Sequence, residues 1–371
     1  MAGEVLFVAG ETSGDLHASV LATELRALHP ELTLTGVGGD CMAEAGVQLF
    51  ERSDRLAVMG FAEILRYVPR HIALLRDIRR RLRSGAVRLV ILVDYPGFNL
   101  KVAKSAHEAG VPVLYYIAPQ VWAWHESRVR TMARVIDRAA VILPFEETFF
   151  ARHGVRATFV GHPLLDRAQS LPDRPTARRE LGLGSDDPVL ALFPGSRVQE
   201  VERMLDVFVG AARLVESRVP GLRVIVSVAP GMEVDPARCP YPLIAGKSFT
   251  VLRAASAALC KSGTTTLEAA VTGTPLIVAY RTSGWSYAIA RRLVRIPYIA
   301  LVNIVAGRRV APELVQKAVT PEALAMALLP LFDEGSDERR AQVDGLAEVR
   351  ARLGAPGAAR RTALLAGELI A

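Results

Sequence analysis

Unbroken apolar runs of strand length recur along this chain, each ending in a turn of small or proline residues and followed by helical periodicity. Val5-Leu6-Phe7-Val8-Ala9 runs into Gly10-Glu11-Thr12-Ser13-Gly14-Asp15, and Val90-Ile91-Leu92-Val93 into Asp94-Tyr95-Pro96-Gly97. Val189 to Phe193 runs into Pro194-Gly195-Ser196-Arg197, and Ala257 to Cys260 into Lys261-Ser262-Gly263-Thr264. A strand without polar alternation is covered on both faces, as a parallel strand between helices is. Strand and helix alternate at short, regular intervals, so the expected fold is α/β with doubly wound parallel sheets. With 371 residues the chain is long enough for two domains. The polar stretch from Arg167 to Asp187 reads as a linker with one short helix. The expected division is therefore 1–168, then 169–345, with a helix in 346–371 free to pack back on the first domain.

In sheets of this kind ligands sit just beyond the carboxyl ends of strands, so the turns carry the functional reading. Asp94 ends a buried strand. Read alone it is an Asx-turn or helix N-cap; read with the other turns it is a carboxylate facing a ligand. Gly10 to Asp15 is a small-residue turn opening a helix, where amides admit an anion; a plain βα turn capped by Ser13 or Asp15 accounts for it equally. Gly195-Ser196-Arg197 adds a guanidinium to helix N-terminal amides, which suits a diphosphate. Ser262, Gly263 and Thr264 supply hydroxyls and amides, with Glu268 one turn on, consistent with a phosphate and a ribose diol or with a capping box. Pro119-Gln120-Val121-Trp122 is a loop that could stack on a sugar or anchor the next helix. Ile299 to Ile304 reads as a loop or short strand containing Asn303.

The formal net charge of +7 favours anionic partners. Val58, Met59, Phe61, Ile64, Leu65 and Val68 cluster around helical spacing, and Pro69 is read as starting or kinking a second helix with the stripe Leu75, Ile78 and Leu82. The flanking arginines suit an anionic bilayer, although a core-facing amphipathic helix gives the same pattern. Cys41, Cys239 and Cys260 fit no metal spacing and read as free thiols in a reducing compartment. The first apolar run has only strand length, so neither a signal peptide nor a membrane anchor is expected from it.

Taken in order, several motifs resemble those of the lipid-A-disaccharide synthase family. They are Val8 to Asp15, Val58-Met59-Gly60, Asp94-Tyr95-Pro96-Gly97-Phe98-Asn99, Pro119 to Trp124, Leu143-Pro144-Phe145-Glu146, Gly161 to Asp166, Pro194 to Arg197 and Ser262 to Glu268. The resemblance runs nearly end to end. It implies a GT-B glycosyltransferase, two Rossmann-like domains facing across a cleft. The implied reaction moves 2,3-diacylglucosamine from its UDP derivative to the 6-hydroxyl of 2,3-diacylglucosamine 1-phosphate. The products are UDP and a β-1,6 disaccharide 1-phosphate, with inversion, no metal and no cofactor. It further implies Asp94 as general base. Gly195, Ser196, Arg197, Ser262, Gly263, Thr264, Glu268 and Asn303 would lie around the UDP donor. Gly10, Glu11, Ser13, Gly14, Asp15, Asn99, Gln120 and Trp122 would line the acceptor side. Val58, Met59, Phe61 and Leu65 would meet acyl chains or the cytoplasmic face of the inner membrane. Nucleic acid is not an implied partner, and a homodimer is left open. Compared with the family pattern, Ala118 stands in place of a usual Ser, Lys261 of a small residue and Val302 of a Pro. The segment after Val228 is also shorter. These departures bear on the donor pocket and the acyl preference.

Other readings share parts of this pattern. A peptidoglycan lipid-linked transferase or a UDP-N-acetylglucosamine epimerase would use the same fold and donor class. A Rossmann oxidoreductase would need GxGxxG after a strand, and none is present. A non-enzymatic binder of anionic lipid or nucleic acid would rest on the positive charge alone.

Overall fold

A computed structural model describes residues 3–53, 64–124, 126–283 and 297–370. Val58, Met59 and Phe61, and the side chain of Leu65, lie outside the described residues. The chain forms two compact units, Met1–Pro163 with Gly354–Ala371, and Leu164–Leu353.

The first unit holds a seven-stranded sheet, ordered β3-β2-β1-β4-β5-β6-β7. Its strands are β1 (Glu4–Ala9), β2 (Thr33–Gly38), β3 (Gln48–Arg52), β4 (Val87–Val93), β5 (Val113–Tyr116), β6 (Arg138–Val141) and β7 (Ala157–Phe159). The second holds a six-stranded sheet, ordered β10-β9-β8-β11-β12-β13. These are β8 (Val189–Phe193), β9 (Arg223–Val228), β10 (Leu243–Ala245), β11 (Ala257–Lys261), β12 (Leu276–Tyr280) and β13 (Glu313–Val315). The ladders are parallel throughout.

The apolar runs make central strands because both of their faces are buried. In β4, Val90 and Leu92 enter one core with Leu6, Val8 and Tyr115. Leu89, Ile91 and Val93 enter the other, with Val5, Phe7 and Tyr116. Complete burial of each such side chain contributes about 1.5–3 kcal/mol, so a charge at any of them would unseat the sheet. In both sheets the strand order reverses beside the first strand, between β1 and β4 and between β8 and β11. The ends of those strand pairs are the topological switch points where ligands bind in open α/β sheets.

Four features depart from the sequence reading. First, the units divide at Pro163/Leu164 and Leu353/Gly354, earlier and later than 168/169 and 345/346. The helix Leu164–Ala168 packs on Thr265–Thr272, and Arg167 lies over the Phe249 ring at 4.9 Å. The helix Asp337–Arg352 packs on Thr265–Thr272 and Leu301–Ala306. Gly354, at φ +89°, then turns the chain back against Phe159 and Gly161. Second, one helix, Ile64–Arg83, runs through Pro69 rather than restarting there. Its inward stripe is Leu74, Ile78 and Leu82, while Val68 and Ile72 are exposed. Third, Ile299 to Ile304 is mostly helix, Leu301–Ala306. Fourth, β3, β7, β10 and β13 lie outside the apolar runs; as edge strands with no fully buried residue they lack the apolar signature of central ones.

The helix Ala358–Ile370 belongs to the first unit. Ala358, Ala363 and Ala366 are buried with Phe7, Leu21 and Leu25. Arg361 Nε donates to the Val160 carbonyl at 2.8 Å. Small side chains let this helix lie close against Thr12–Leu28.

Candidate active site

At the first switch point the backbone is strained. Asp94 and Tyr95 have φ of +47° and +49°, and Ile117, after the neighbouring strand β5, has φ +58°. This left-handed region costs about 1–2 kcal/mol per non-glycine residue and is a true outlier for β-branched isoleucine. Such conformations persist only where the surroundings over-determine them, and they cluster at functional sites. Here the determinant is Asn99, wholly buried one turn into the helix Pro96–Glu108. Its Nδ2 donates to the carbonyls of Val8 (3.3 Å), Val93 (3.2 Å) and Asp94 (2.7 Å). Tyr115 Oη also donates to the Asp94 carbonyl, at 2.5 Å. The ends of β1 and β4 are thereby clamped together, and the Asp94 peptide is held while its carboxylate stays partly open to solvent.

Burial, and then the negative charge of Glu11, raise the Asp94 carboxyl above its ordinary value, against the pull of the Tyr95 N–H. Glu11 and Ser13 are exposed at the start of Thr12–Leu28. Gly10 is required for packing: a Cβ there would fall 2.3 Å from the Tyr95 ring. The Tyr95 hydroxyl is 2.7 Å from His71 Nε2. Gly14 packs at ordinary distance on Ala9 and the Val93 carbonyl.

Three residues read as facing the acceptor make contacts that hold the frame. Asp15 is buried and accepts from the N–H groups of Gly39 (2.6 Å), Cys41 (3.0 Å) and Met42 (3.2 Å), capping the helix Asp40–Glu44. Asn99 is the clamp just described. Trp122 is half-buried; its Nε1 donates to Glu146 Oε1 at 3.0 Å, and its ring meets Phe145 edge-on at 5.0 Å. Glu146 also accepts from the Leu143 N–H at 3.0 Å, so this loop is anchored to the helix Pro144–Arg152. Burial raises the Glu146 carboxyl to about 7, against the Trp122 and Leu143 donors. Gln120 is exposed beside that anchor.

At the second switch point, Gly195 has φ +141°, and a Cβ there would collide with Glu200. The Ser196 N–H donates to Glu200 Oε2 at 3.1 Å, and Lys261 Nζ donates to Oε1 at 2.8 Å. Arg197 is exposed at the N-cap of Val198–Glu216. Across the crevice, the helix Thr265–Thr272 points its N-terminal amides past Gly263 and Thr264, and nothing lies within 4 Å of a Cβ at Gly263. The first N–H groups of a helix have no internal acceptor and carry its positive dipole end. Ser262 Oγ is engaged by the Ile299 carbonyl at 3.0 Å. Glu268 is buried, and its Oε2 has no hydrogen-bond partner among the described residues. Burial raises its carboxyl, against Ser248 and Arg167. A buried carboxylate oxygen without a donor costs about 1–3 kcal/mol, a deficit that a ligand hydroxyl would remove.

Asn303 is engaged within the protein. It is wholly buried. Its Nδ2 donates to the Ala311 carbonyl and to Glu313 Oε1, both at 2.8 Å, and its Oδ1 accepts from Val310 (2.7 Å) and Ala311 (2.9 Å). Its amide is fully used in fixing the approach to β13. Tyr95, Glu200 and Lys261 were not singled out as site residues. A lysine closing an otherwise apolar strand was the one visible signal among them.

A family model described as lipid-A-disaccharide synthetase matches residues 5–366. The lipid-A-disaccharide synthase of Myxococcus xanthus (strain DK1622) is 42% identical over 374 residues, covering 99% of this chain and 97% of its own. Among solved structures, a putative UDP-N-acetylglucosamine 2-epimerase from Listeria monocytogenes aligns with a TM-score of 0.67 at 14% identity, over 97% of this chain and 94% of its own. CalG4, the calicheamicin glycosyltransferase, aligns at 0.64 and 17%, over 99% and 98%. At those identities the structures speak for the GT-B fold, two parallel-sheet α/β domains, and the sequence matches speak for the family. Two switch-point turns of this composition, carried on that fold and matched almost end to end, place the chain in the lipid-A-disaccharide synthase family of glycosyltransferases.

Proposed function

We propose that the chain transfers 2,3-diacylglucosamine from UDP-2,3-diacylglucosamine to the 6-hydroxyl of 2,3-diacylglucosamine 1-phosphate. UDP leaves, and the β-1,6 bond forms with inversion. The observation that carries the reading is Asp94: a carboxylate with a raised pKa on a strained, clamped peptide at a switch point. As the acceptor oxygen bonds to the anomeric carbon, Asp94 takes its proton. The bond to the UDP oxygen breaks, and its electron pair leaves with the diphosphate. A base raised toward the working pH is better matched to proton transfer, and a held peptide avoids reorganisation in the transition state. Displacement in a single step inverts the centre.

In this reading the first unit takes the acceptor and the second the donor. Arg197 and the amides of Gly263 and Thr264 meet the diphosphate, so the reaction proceeds without a metal. Glu268 accepts from the ribose hydroxyls. The cytoplasmic face of the inner membrane is the site of action, as a peripheral contact. Support comes from the helix Ile64–Arg83, where exposed Val68 and Ile72 accompany Arg76, Arg79, Arg80 and Arg83. No helix of the described residues is long and apolar enough to cross a membrane.

The test is UDP release by purified protein with both acylated sugars, with each alone, and with EDTA. Release only with both, undiminished by EDTA, is expected. Equal release with the donor alone would leave a hydrolase or epimerase. Loss in EDTA would overturn metal independence.

A further inference from the structure

The crevice between β8 and β11 holds one charged pair with no role in the reaction as described so far. Lys261 closes β11, and the register pairs the preceding Cys260 with Phe193, the last residue of β8. Lys261 is therefore level in the sheet with the start of the Pro194–Arg197 turn. Glu200 grips both sides, with one oxygen on the Ser196 N–H at 3.1 Å and the other on Lys261 Nζ at 2.8 Å. Both side chains of the pair are 19% exposed, so they are shielded yet reachable. The Tyr280 ring lies 5.6 Å from the same ammonium, within cation–π range.

We propose that Lys261 is a second cation for a nucleoside diphosphate, alongside Arg197, and that Glu200 is the counter-ion holding it in place while the site is empty. The proposal rests on the donor reading of the second unit. An ammonium has three donors, and Glu200 occupies one. An isolated lysine here would be an uncompensated half-buried charge, and an isolated carboxylate would repel phosphate; together they hold a poised cation at little net charge. Burial alone would raise the Glu200 carboxyl, but the hydrogen bond and charge of Lys261, with the Ser196 N–H and Arg197, bring it below its usual value. Glu200 therefore stays a carboxylate at neutral pH, and an arriving diphosphate adds acceptors for the donors of Lys261 that Glu200 does not occupy.

The competing role is a staple that merely fastens the turn to β11. Two variants of the full chain separate the two. Lys261→Met keeps the stem and removes the charge. Glu200→Gln keeps an acceptor for the Ser196 N–H and frees the lysine. UDP affinity is read by calorimetry and uridine binding by saturation-transfer NMR. A cation role predicts that Lys261→Met weakens UDP by about ten-fold or more, the size of one charge-assisted hydrogen bond. Uridine binding should be unchanged, and Glu200→Gln should bind UDP as tightly as the parent or more so. Weakening of UDP and uridine alike by both variants would assign the staple and overturn the proposal, as would unchanged UDP affinity in Lys261→Met. Absence of UDP binding in the parent protein would instead overturn the donor reading on which it rests.

Discussion

Replacing Asn99 by Ala tests whether the strained peptide at Asp94 matters to catalysis. Three carbonyls surround one side-chain nitrogen at 2.7 to 3.3 Å, which identifies that atom as the amide nitrogen. An amide has two hydrogens, so the three contacts amount to about two bonds' worth. Removing the donor takes a partner from the Val8 and Val93 carbonyls, at about 1–3 kcal/mol each, and leaves the Asp94 carbonyl to Tyr115 alone. A loss of roughly 2–4 kcal/mol is expected, seen as a Tm lowered by roughly 5–15 °C. The catalytic effect has a different origin. Without the clamp, left-handed strain of about 2 kcal/mol at Asp94 and Tyr95 is free to relax. The competent geometry then falls to about one thirtieth of the population, and kcat falls by about that factor. UDP affinity, which the donor reading assigns to the other unit, should hold. Asn99→Asp should be worse than Ala, because a carboxylate would face three carbonyl oxygens. The measurements are thermal unfolding, UDP calorimetry and turnover. A lowered Tm with unchanged kcat would refute the link between strain and catalysis.

Asp94→Asn should abolish most turnover while leaving UDP affinity and Tm near the parent; retained kcat at saturating substrates would remove the general-base role. Arg197→Ala should weaken UDP by about ten-fold, and unchanged UDP affinity would dismiss the guanidinium from the diphosphate site. For Glu146, whose carboxyl rises from 4.5 to about 7 in the fold, the folded state holds the extra proton between those values, so this group's contribution to stability declines as pH rises through that window. Glu146→Gln should flatten the stability profile from pH 4.5 to 7; an unaltered slope in urea titrations would contradict the raised value. Glu268→Ala should weaken UDP more than 2′-deoxy-UDP, and equal losses for the two would detach Glu268 from the ribose.

Parallel sheets were legible because β1, β4, β8 and β11 are buried on both faces and advertise it as unbroken apolar runs. Edge strands such as β13 bury little and do not. The position of Asp94 was legible, but its conformation was not: φ +47° is imposed by Asn99 and Tyr115, acting through the fold. Three of the site readings share one ambiguity. Asp15, Asn99 and Asn303 are polar residues near strand ends, where a ligand contact and a backbone clasp look the same in sequence. Which one forms depends on where orphan N–H and C=O groups of other segments arrive. The Glu200–Lys261 contact joins residues 61 positions apart, and nothing local to either announces the other.

The return of Ala358–Ile370 to the first sheet also orders the assembly of the molecule. Everything from Leu164 to Leu353 is in effect an insertion into the first unit. On the ribosome, the second unit emerges whole while the first still lacks the helix that covers Phe7, Leu21 and Leu25. The half bearing Asp94 is thus the last to close, although most of it is made first. Until then its apolar flank is a surface for chaperones, and a chain stopped near Leu353 should reach the cell as a folded second unit tethered to an unfinished first one.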